Sequence, residues 1–305
     1  MGSSGGGGGG SYYSGSTSDS NKTTQENANS TSINDYLNGY LRDIINQKDT
    51  EKINQRKDEV KRILENEFGE AIDIASGGSY SKQTYVNGLS DVDLLYDLGD
   101  YTSSNIEGKE DPKNVIDQFA QRIHQRYPTS NIKQGKMAVT IEFSDGIELQ
   151  VLPAFRYYNG YKVPDPDNNS WVCSFPKNFS SKLTAVNQAN SGVVKPVIKL
   201  TKEILANNGI KVKGYHLENM AVDTFQSYDG AKTPKAMTSH LISHMKNGVL
   251  KRVGDPCGQS EYVDDYLGSN GSLQRRELSS KISNLENKIN NATTEQDWKK
   301  IMTGN

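Results

Sequence analysis

The run Gly77-Gly78-Ser79-Tyr80-Ser81-Lys82-Gln83-Thr84, followed closely by Gly88-Leu89-Ser90-Asp91-Val92-Asp93-Leu94-Leu95, is the richest in potential chemistry. Adjacent glycines let backbone N–H groups approach phosphate oxygens, and Ser79 adds a hydroxyl donor at the same place. Asp91 and Asp93 stand two apart at the start of a strand-like run. That spacing turns both carboxylates to one face, where they can share a divalent cation. Phosphoryl transfer at the α-phosphate of a nucleotide needs this combination, with two Mg²⁺ ions clamping the attacking and leaving oxygens and carboxylates holding the ions. Mn²⁺ is an alternative with the same ligand preference. Taken singly, a Gly-rich turn and a strand opening with two aspartates are ordinary. In this order they predict a site for a metal-bound nucleoside triphosphate.

Such a site needs a scaffold, and 305 residues suffice for one two-lobed domain or two small ones. A net charge of −2 with 24% charged residues gives no chain-wide field for nucleic acid. A small nucleotide suits that balance better, and a nucleic-acid partner, though possible, would need a local basic cleft. Cys173 and Cys257 are far apart without neighbouring ligand residues, so neither a disulfide framework nor a zinc site is indicated. No apolar stretch approaches the roughly 18 residues of a membrane span, and the N-terminus lacks signal-peptide regions. The expectation is a soluble, cytoplasmic protein without membrane partners.

Residues 1–31 are Gly, Ser, Thr and Asn in low-complexity order and read as a disordered tail. Ser32 and Asp35 predict a helix start, with Ile33, Tyr36, Leu37, Tyr40, Leu41, Ile44 and Ile45 at helical spacing. A second helix is expected over 50–67, strands over 71–75 and 92–98, and a helix over 114–127. Residues 137–143 and 147–152 alternate around Ser144-Asp145-Gly146, a hairpin signal. Its apolar side carries Val139, Ile141, Phe143, Ile147, Leu149 and Val151; its polar side carries Thr140, Glu142, Glu148 and Gln150. Helices are expected over 180–190, 193–206, 215–228 and 232–247. The fold class is thus α/β of the α+β kind: a catalytic lobe over 32–165 with a mixed sheet and N-terminal helices, and a helical lobe over 166–305 closing a nucleotide cleft.

These residues resemble the nucleotidyltransferases related to cyclic GMP-AMP synthase, the oligoadenylate synthetases and the bacterial cyclic-oligonucleotide synthases (CD-NTases), whose catalytic lobe is polymerase beta-like. Residues 77–95 look like that family's Gly-Ser loop and Asp-x-Asp strand, and Val151-Leu152-Pro153-Ala154-Phe155 looks like the run after its third metal carboxylate. Residues 161–177 are similar to its connection into the helical lobe, and Asp255-Pro256 with 263–267 to its last landmark. The resemblance covers roughly 32–285. It implies that Gly77, Gly78 and Ser79 bind donor phosphates and that Asp91 and Asp93 are catalytic metal ligands. Lys202 grips the triphosphate, with Lys199 as fallback, and Tyr215 stacks on the donor base. The implied product is a cyclic or linear oligonucleotide second messenger of antiphage-type signalling, made from nucleoside triphosphates, with a regulatory or effector protein as a further partner.

One position departs from that pattern. Gln150 stands where the family has its third carboxylate, and a neutral amide holds Mg²⁺ poorly. Three explanations stay open: a deliberate inactivation, a natural enzyme in which Glu148 reaches in, or a binder that has lost catalysis. Glu148 lies roughly 6–7 Å along the strand from position 150, which strains the second. A transferase extending nucleic-acid ends is the enzyme alternative. His240 and His244 have metal-compatible spacing but no third ligand, His216 reads as packing, and Asp97 and Asp100 as poor ligands. Tyr157, Tyr158 and Tyr161 read as packing, and the charged run 277–288 as a solvated helix face.

Overall fold

The structure, a computed structural model, describes residues 16–46, 50–68, 73–76, 78–87, 89 and 92–305. Gly77 and Asp91 therefore lie outside the described residues, as do residues 1–15 of the expected tail. The chain opens with α1 (Ser16–Tyr40), which runs into a π-helical turn at Leu41–Ile45, and α2 (Thr50–Phe68). The strands β1 (Asp73–Ser76) and β2 (Val92–Asp100) flank the one-turn helix α3 (Gly78–Ser81). Next come α4 (Pro112–Arg126), β3 (Asn131–Gln134), β4 (Val139–Glu142), β5 (Glu148–Tyr157), β6 (Gly160–Pro164) and β7 (Trp171–Ser174). Six helices complete the chain: α5 (Pro176–Ala189), α6 (Val194–Asn207), α7 (Gly214–Phe225), α8 (Pro234–Gly248), α9 (Leu273–Asn291) and α10 (Glu295–Thr303).

Among the described residues the sheet is seven-stranded and mixed, in the order β1-β2-β5-β4-β3, with β6 on β5 and β7 on β6. β2 runs parallel to β5, while β1, β4 and β6 are antiparallel to their neighbours. The hairpin turns where the sequence predicts, with Glu142 opposite Glu148. Period two then sorts the faces. Val92, Leu94, Tyr96, Val139, Ile141, Leu149 and Val151 are buried on one, and Asp93, Thr140, Glu148 and Gln150 stay partly exposed on the other.

The buried face packs under α2 and α4 through Val60, Leu64, Val115, Ile116, Phe119 and Ile123. α4 starts where it does because Asp111 accepts hydrogen bonds from the N–H groups of Lys113 and Asn114, and Pro112 takes a first-turn place that needs no donor. A second core joins α1 to α5–α10. Ile33, Leu37, Leu41 and Ile45 belong to it rather than to the sheet's core. Each such side chain contributes about 1.5–3 kcal/mol by burial, so α1 is held against the helical layer.

The helix start expected at Ser32 is corrected. α1 begins at Ser16, and Ser32 lies within it, its hydroxyl donating to Glu295 Oε2 at 2.6 Å. Residues 16–31 contain neither Gly nor Pro, so a helix nucleated by the packed stripe from Ile33 onward propagates backward through a polar segment. The residues 277–288 likewise do more than face solvent: Leu278, Ile282, Leu285 and Ile289 of α9 are buried.

The helical layer carries a buried ionic hub. Arg275 and Asp264 are fully buried and paired at 2.6 Å, and the guanidinium also donates to the carbonyls of Val249, Lys251 and Gly268. His216, fully buried, sets Nδ1 3.0 Å from the Tyr266 hydroxyl and Nε2 3.7 Å from Asp264. Burial pulls its pKa from 6.5 down to about 4, with Asp264 opposing and Arg275 reinforcing the shift. Since the folded value lies below the unfolded one, the unfolded chain binds the proton first as pH falls. The contribution is complete above pH 6.5 and is lost as pH falls through about 4, a swing of roughly 3 kcal/mol. Urea unfolding near pH 7.5 and near pH 4.5 checks this: the parent chain should lose about 2–3 kcal/mol more than His216→Gln, and equal losses would contradict it.

Candidate functional site

Sheet register brings the glycine turn to the aspartate. Ser76 at the end of β1 pairs with Leu94, so the chain leaves β1 toward the end of β2 that bears Asp93. Gly78 then enters α3 with φ +52°, and a Cβ there would lie 1.5 Å from Asp93 Oδ2 and 2.4 Å from its Cγ. Only glycine permits both that dihedral and that contact. Across the sheet, Asp93 is in register with Gln150 of β5, which in turn faces Thr140 of β4. The position read as the third carboxylate is thus directly beside the second. Glu148 lies two residues further along β5, opposite Glu142.

Above the glycine turn the structure assembles cations that sequence spacing did not pair. Glu218 of α7 is 1% exposed and binds Lys82 through Oε2 at 2.6 Å and Lys202 through Oε1 at 3.3 Å. The Thr84 hydroxyl donates to the same Oε1, and Lys202 also donates to the Thr84 carbonyl at 2.9 Å. Burial pushes the Glu218 carboxyl up, but Lys82 and Lys202 outweigh it and hold it below the usual carboxylate range. Burial lowers Lys202, and Glu218 and Asp93 partly offset that. The cluster carries two ammoniums against one buried carboxylate, so a net positive charge sits beside Asp93. A charge of that sign and place suits a phosphate tail.

Lys82 stands in the Gly-Gly-Ser run and Glu218 three residues after Tyr215, and the sequence assigns a role to neither. No sequence pattern marks Glu218: it is the structure that shows residues 216–222 of α7 all buried, and a carboxylate inside such a run needs a cationic partner. Replacing it tests the tether. Glu218→Gln leaves Lys82 and Lys202 desolvated without their counter-charge and should cost about 3 kcal/mol in denaturant unfolding. An unchanged midpoint would contradict the tether.

Of the remaining predicted residues, Ser79 lies in α3, its carbonyl accepting from the Thr84 N–H at 2.9 Å. Lys199 points elsewhere, donating to Asn46 Oδ1 at 2.7 Å. Tyr215 lies at this cluster: Lys82 Nζ is 5.0 Å from its ring centroid, Phe179 meets the ring edge-on, and its hydroxyl donates to Asp255 Oδ1 at 2.8 Å. Asp97 is 2% exposed and engaged by Arg156 Nε at 2.6 Å, which uses its carboxylate structurally. Among the described residues no group of three or more His, Cys, Asp or Glu side chains forms a metal cage. Asp93, the Gln150 carbonyl and a phosphate's own oxygens are nonetheless the hard donors a small divalent cation takes. No helix among the described residues is long and apolar enough to cross a membrane.

Comparison with known proteins places these features in a lineage. The family model of the Second Messenger Oligonucleotide or Dinucleotide Synthetase domain matches residues 31–187. A probable cyclic nucleotide synthase of Bacillus cereus is 22% identical over 218 residues, covering 61% of this chain and 66% of the relative, so the chain spans just under two thirds of that protein's length. Among solved structures, Escherichia coli CdnC with ATP aligns with a TM-score of 0.69 at 13% identity, covering 90% of this chain and 98% of that one. Bradyrhizobium diazoefficiens CdnG, a CD-NTase solved with GTP, aligns with a TM-score of 0.68 at 14% identity, covering 89% and 95%. At those identities the structural matches speak to the fold.

Proposed function

This chain belongs to the family of Second Messenger Oligonucleotide or Dinucleotide Synthetase domains, and on that premise we propose that it is a nucleotidyltransferase that joins nucleoside triphosphates into cyclic or linear oligonucleotide second messengers. The carrying observation is the packing of Gly78 against the Asp93 carboxylate under the Lys82–Glu218–Lys202 cluster. ATP in CdnC and GTP in CdnG support the substrate class.

The donor triphosphate lies against the glycine turn, where the Gly77 and Gly78 backbone and the Ser79 hydroxyl hold its oxygens. Lys202 and Lys82 neutralise its charge, and Tyr215 meets the base. Asp91 and Asp93 would hold Mg²⁺, which would supply Lewis-acid polarisation of the α-phosphate and of the attacking hydroxyl. A ribose hydroxyl of a second nucleotide, losing its proton to solvent water, forms the new bond to the α-phosphorus. The α–β anhydride bond breaks and pyrophosphate leaves with the electron pair. Gln150 offers the metal site one neutral oxygen beside Asp93. The reading extends to cytosolic signalling of antiphage type with a regulatory or effector protein.

Incubation with Mg²⁺ and each α-labelled nucleoside triphosphate, followed by pyrophosphate assay and product separation, tests this for the parent chain and Gln150→Asp. Nucleotide binding by neither would defeat it. Gln150 also favours a second reading, a nucleotide-binding protein without turnover. Thermal stabilisation by nucleotide with no pyrophosphate release, even from Gln150→Asp, would select it.

A further inference from the structure

The loop after α8 is folded around one carboxylate. Asp255 Oδ2 accepts from the N–H groups of Gln259 at 3.1 Å and Ser260 at 3.0 Å, and Oδ1 accepts from the Cys257 N–H at 2.8 Å. The Ser260 hydroxyl donates to Oδ2 as well, at 3.3 Å. The Phe175 N–H donates to the Cys257 carbonyl at 2.8 Å, which ties the loop to the connection between β7 and α5. Local bonds of this kind from an aspartate to the backbone just after it account for the turn. They do not account for one more donor, which comes from a different element. The Tyr215 hydroxyl of α7, forty residues earlier in the chain, donates to Asp255 Oδ1 at 2.8 Å.

That contact fixes a ring. Tyr215 stands in the first turn of α7, and its ring meets the buried Phe179 edge-on, with centroids 5.1 Å apart and planes at 87°. The far end of the ring is held by Asp255 Oδ1 and by Cys257 Sγ, the latter 3.0 Å from the hydroxyl. Burial, then Cys257 and Asp255, push the pKa of that hydroxyl above its ordinary value, so it stays a protonated donor to the carboxylate. Backbone, edge and tip are all anchored. The ring is therefore set in one plane in the free protein, with Lys82 of the Glu218 cluster 5.0 Å from its centroid.

We propose that Asp255 is a positioning residue for the nucleotide base, holding the Tyr215 ring through its hydroxyl in the plane on which the base stacks. The inference rests on the proposed nucleotidyltransferase function, in which Tyr215 meets the base. A mobile aromatic side chain loses rotamer freedom when a base stacks on it, and a ring already fixed avoids that loss. A charged acceptor makes the stronger hydrogen bond, and so the stiffer tether. The advantage falls on the base alone. A ligand with the same phosphates and no base gains nothing from it.

Calorimetric titration of the full chain, in Mg²⁺, with ATP, GTP and ribose 5′-triphosphate tests this, because the last ligand keeps sugar and phosphates without a base. The parent should bind its preferred nucleotide more tightly than ribose 5′-triphosphate. Tyr215→Phe keeps the ring and removes only the tether; it should weaken nucleotide binding about threefold to tenfold and leave ribose 5′-triphosphate unchanged. Asp255→Asn should act in the same direction, and Tyr215→Phe should lose most of its effect in that background, as two ends of one interaction do. Unfolding midpoints confirm that the variants fold. Nucleotide binding unchanged in Tyr215→Phe, or equal losses for nucleotide and ribose 5′-triphosphate, would overturn the proposal while leaving the nucleotide site standing. An undiminished Tyr215→Phe effect in the Asp255→Asn background would also overturn it, moving the hold on the ring to Cys257. So would a parent chain that binds nucleotide no more tightly than ribose 5′-triphosphate. A parent chain that binds neither nucleotide would defeat the function itself, and the proposal with it.

Discussion

Asp93→Asn should lower pyrophosphate release by at least about 10³-fold while leaving the unfolding free energy within about 1 kcal/mol of the parent. The substitution is nearly isosteric, so the amide fits under Gly78 as the carboxylate does. What it removes is charge. Without that charge a divalent ion has lost one of its anionic ligands, and Lys202 has lost a negative neighbour that helps keep it protonated. The contrast between the two readouts carries the test. A side chain that merely packs against the turn would lose stability and activity together, or neither. Measured turnover within tenfold of the parent would remove Asp93 from the metal site.

Gln150→Asp should act in the other direction and raise turnover about 10²–10³-fold at saturating Mg²⁺. The parallel pairing of β2 with β5 sets residue 150 in register with Asp93, so a carboxylate introduced there falls beside the existing one. The position is partly exposed, which keeps the desolvation cost small. Mutual repulsion of the added charge should also weaken the empty state slightly and make stability more dependent on metal. If Glu148 already serves, Gln150→Asp gains little and Glu148→Gln abolishes turnover instead. Register disfavours that, because Glu148 sits two residues away and opposite Glu142.

Much of the candidate site is proposed from sequence alone because its parts are local. The Gly-Gly-Ser turn, the two-residue spacing of Asp91 and Asp93, and the alternation of residues 139–151 all sit within short windows, and local pattern sets backbone direction there. Lys202 could be singled out only by resemblance, and the structure sets it beside Asp93 and Glu218, whereas Lys199 turns to Asn46. What pattern could not provide was partnership across the chain. Glu218 reaches Lys82 over more than a hundred residues, and the adjacency of Asp93 and Gln150 follows from a parallel crossover that no local signal specifies.

The same limit governs the fold. α1 has an apolar stripe that any core would accept, and only the tertiary arrangement assigns it to α8 and α10 rather than to the sheet. β3, β6 and β7 have four or five residues each, too few for alternation to stand out from loop sequence. The polar stretch ahead of Ile33 reads as tail because it has no apolar stripe; its helicity rests on continuity with a packed helix, which composition does not encode.

Calorimetric titration of ATP and of GTP into the protein, with Mg²⁺ and with chelator, tests most directly whether Asp93 and the glycine turn hold a metal-bound triphosphate. A Mg²⁺-dependent binding component is expected, weakened at least about tenfold by Asp93→Asn. Nucleotide binding that is indifferent to metal and equal in the two proteins, or no binding at all, would contradict it.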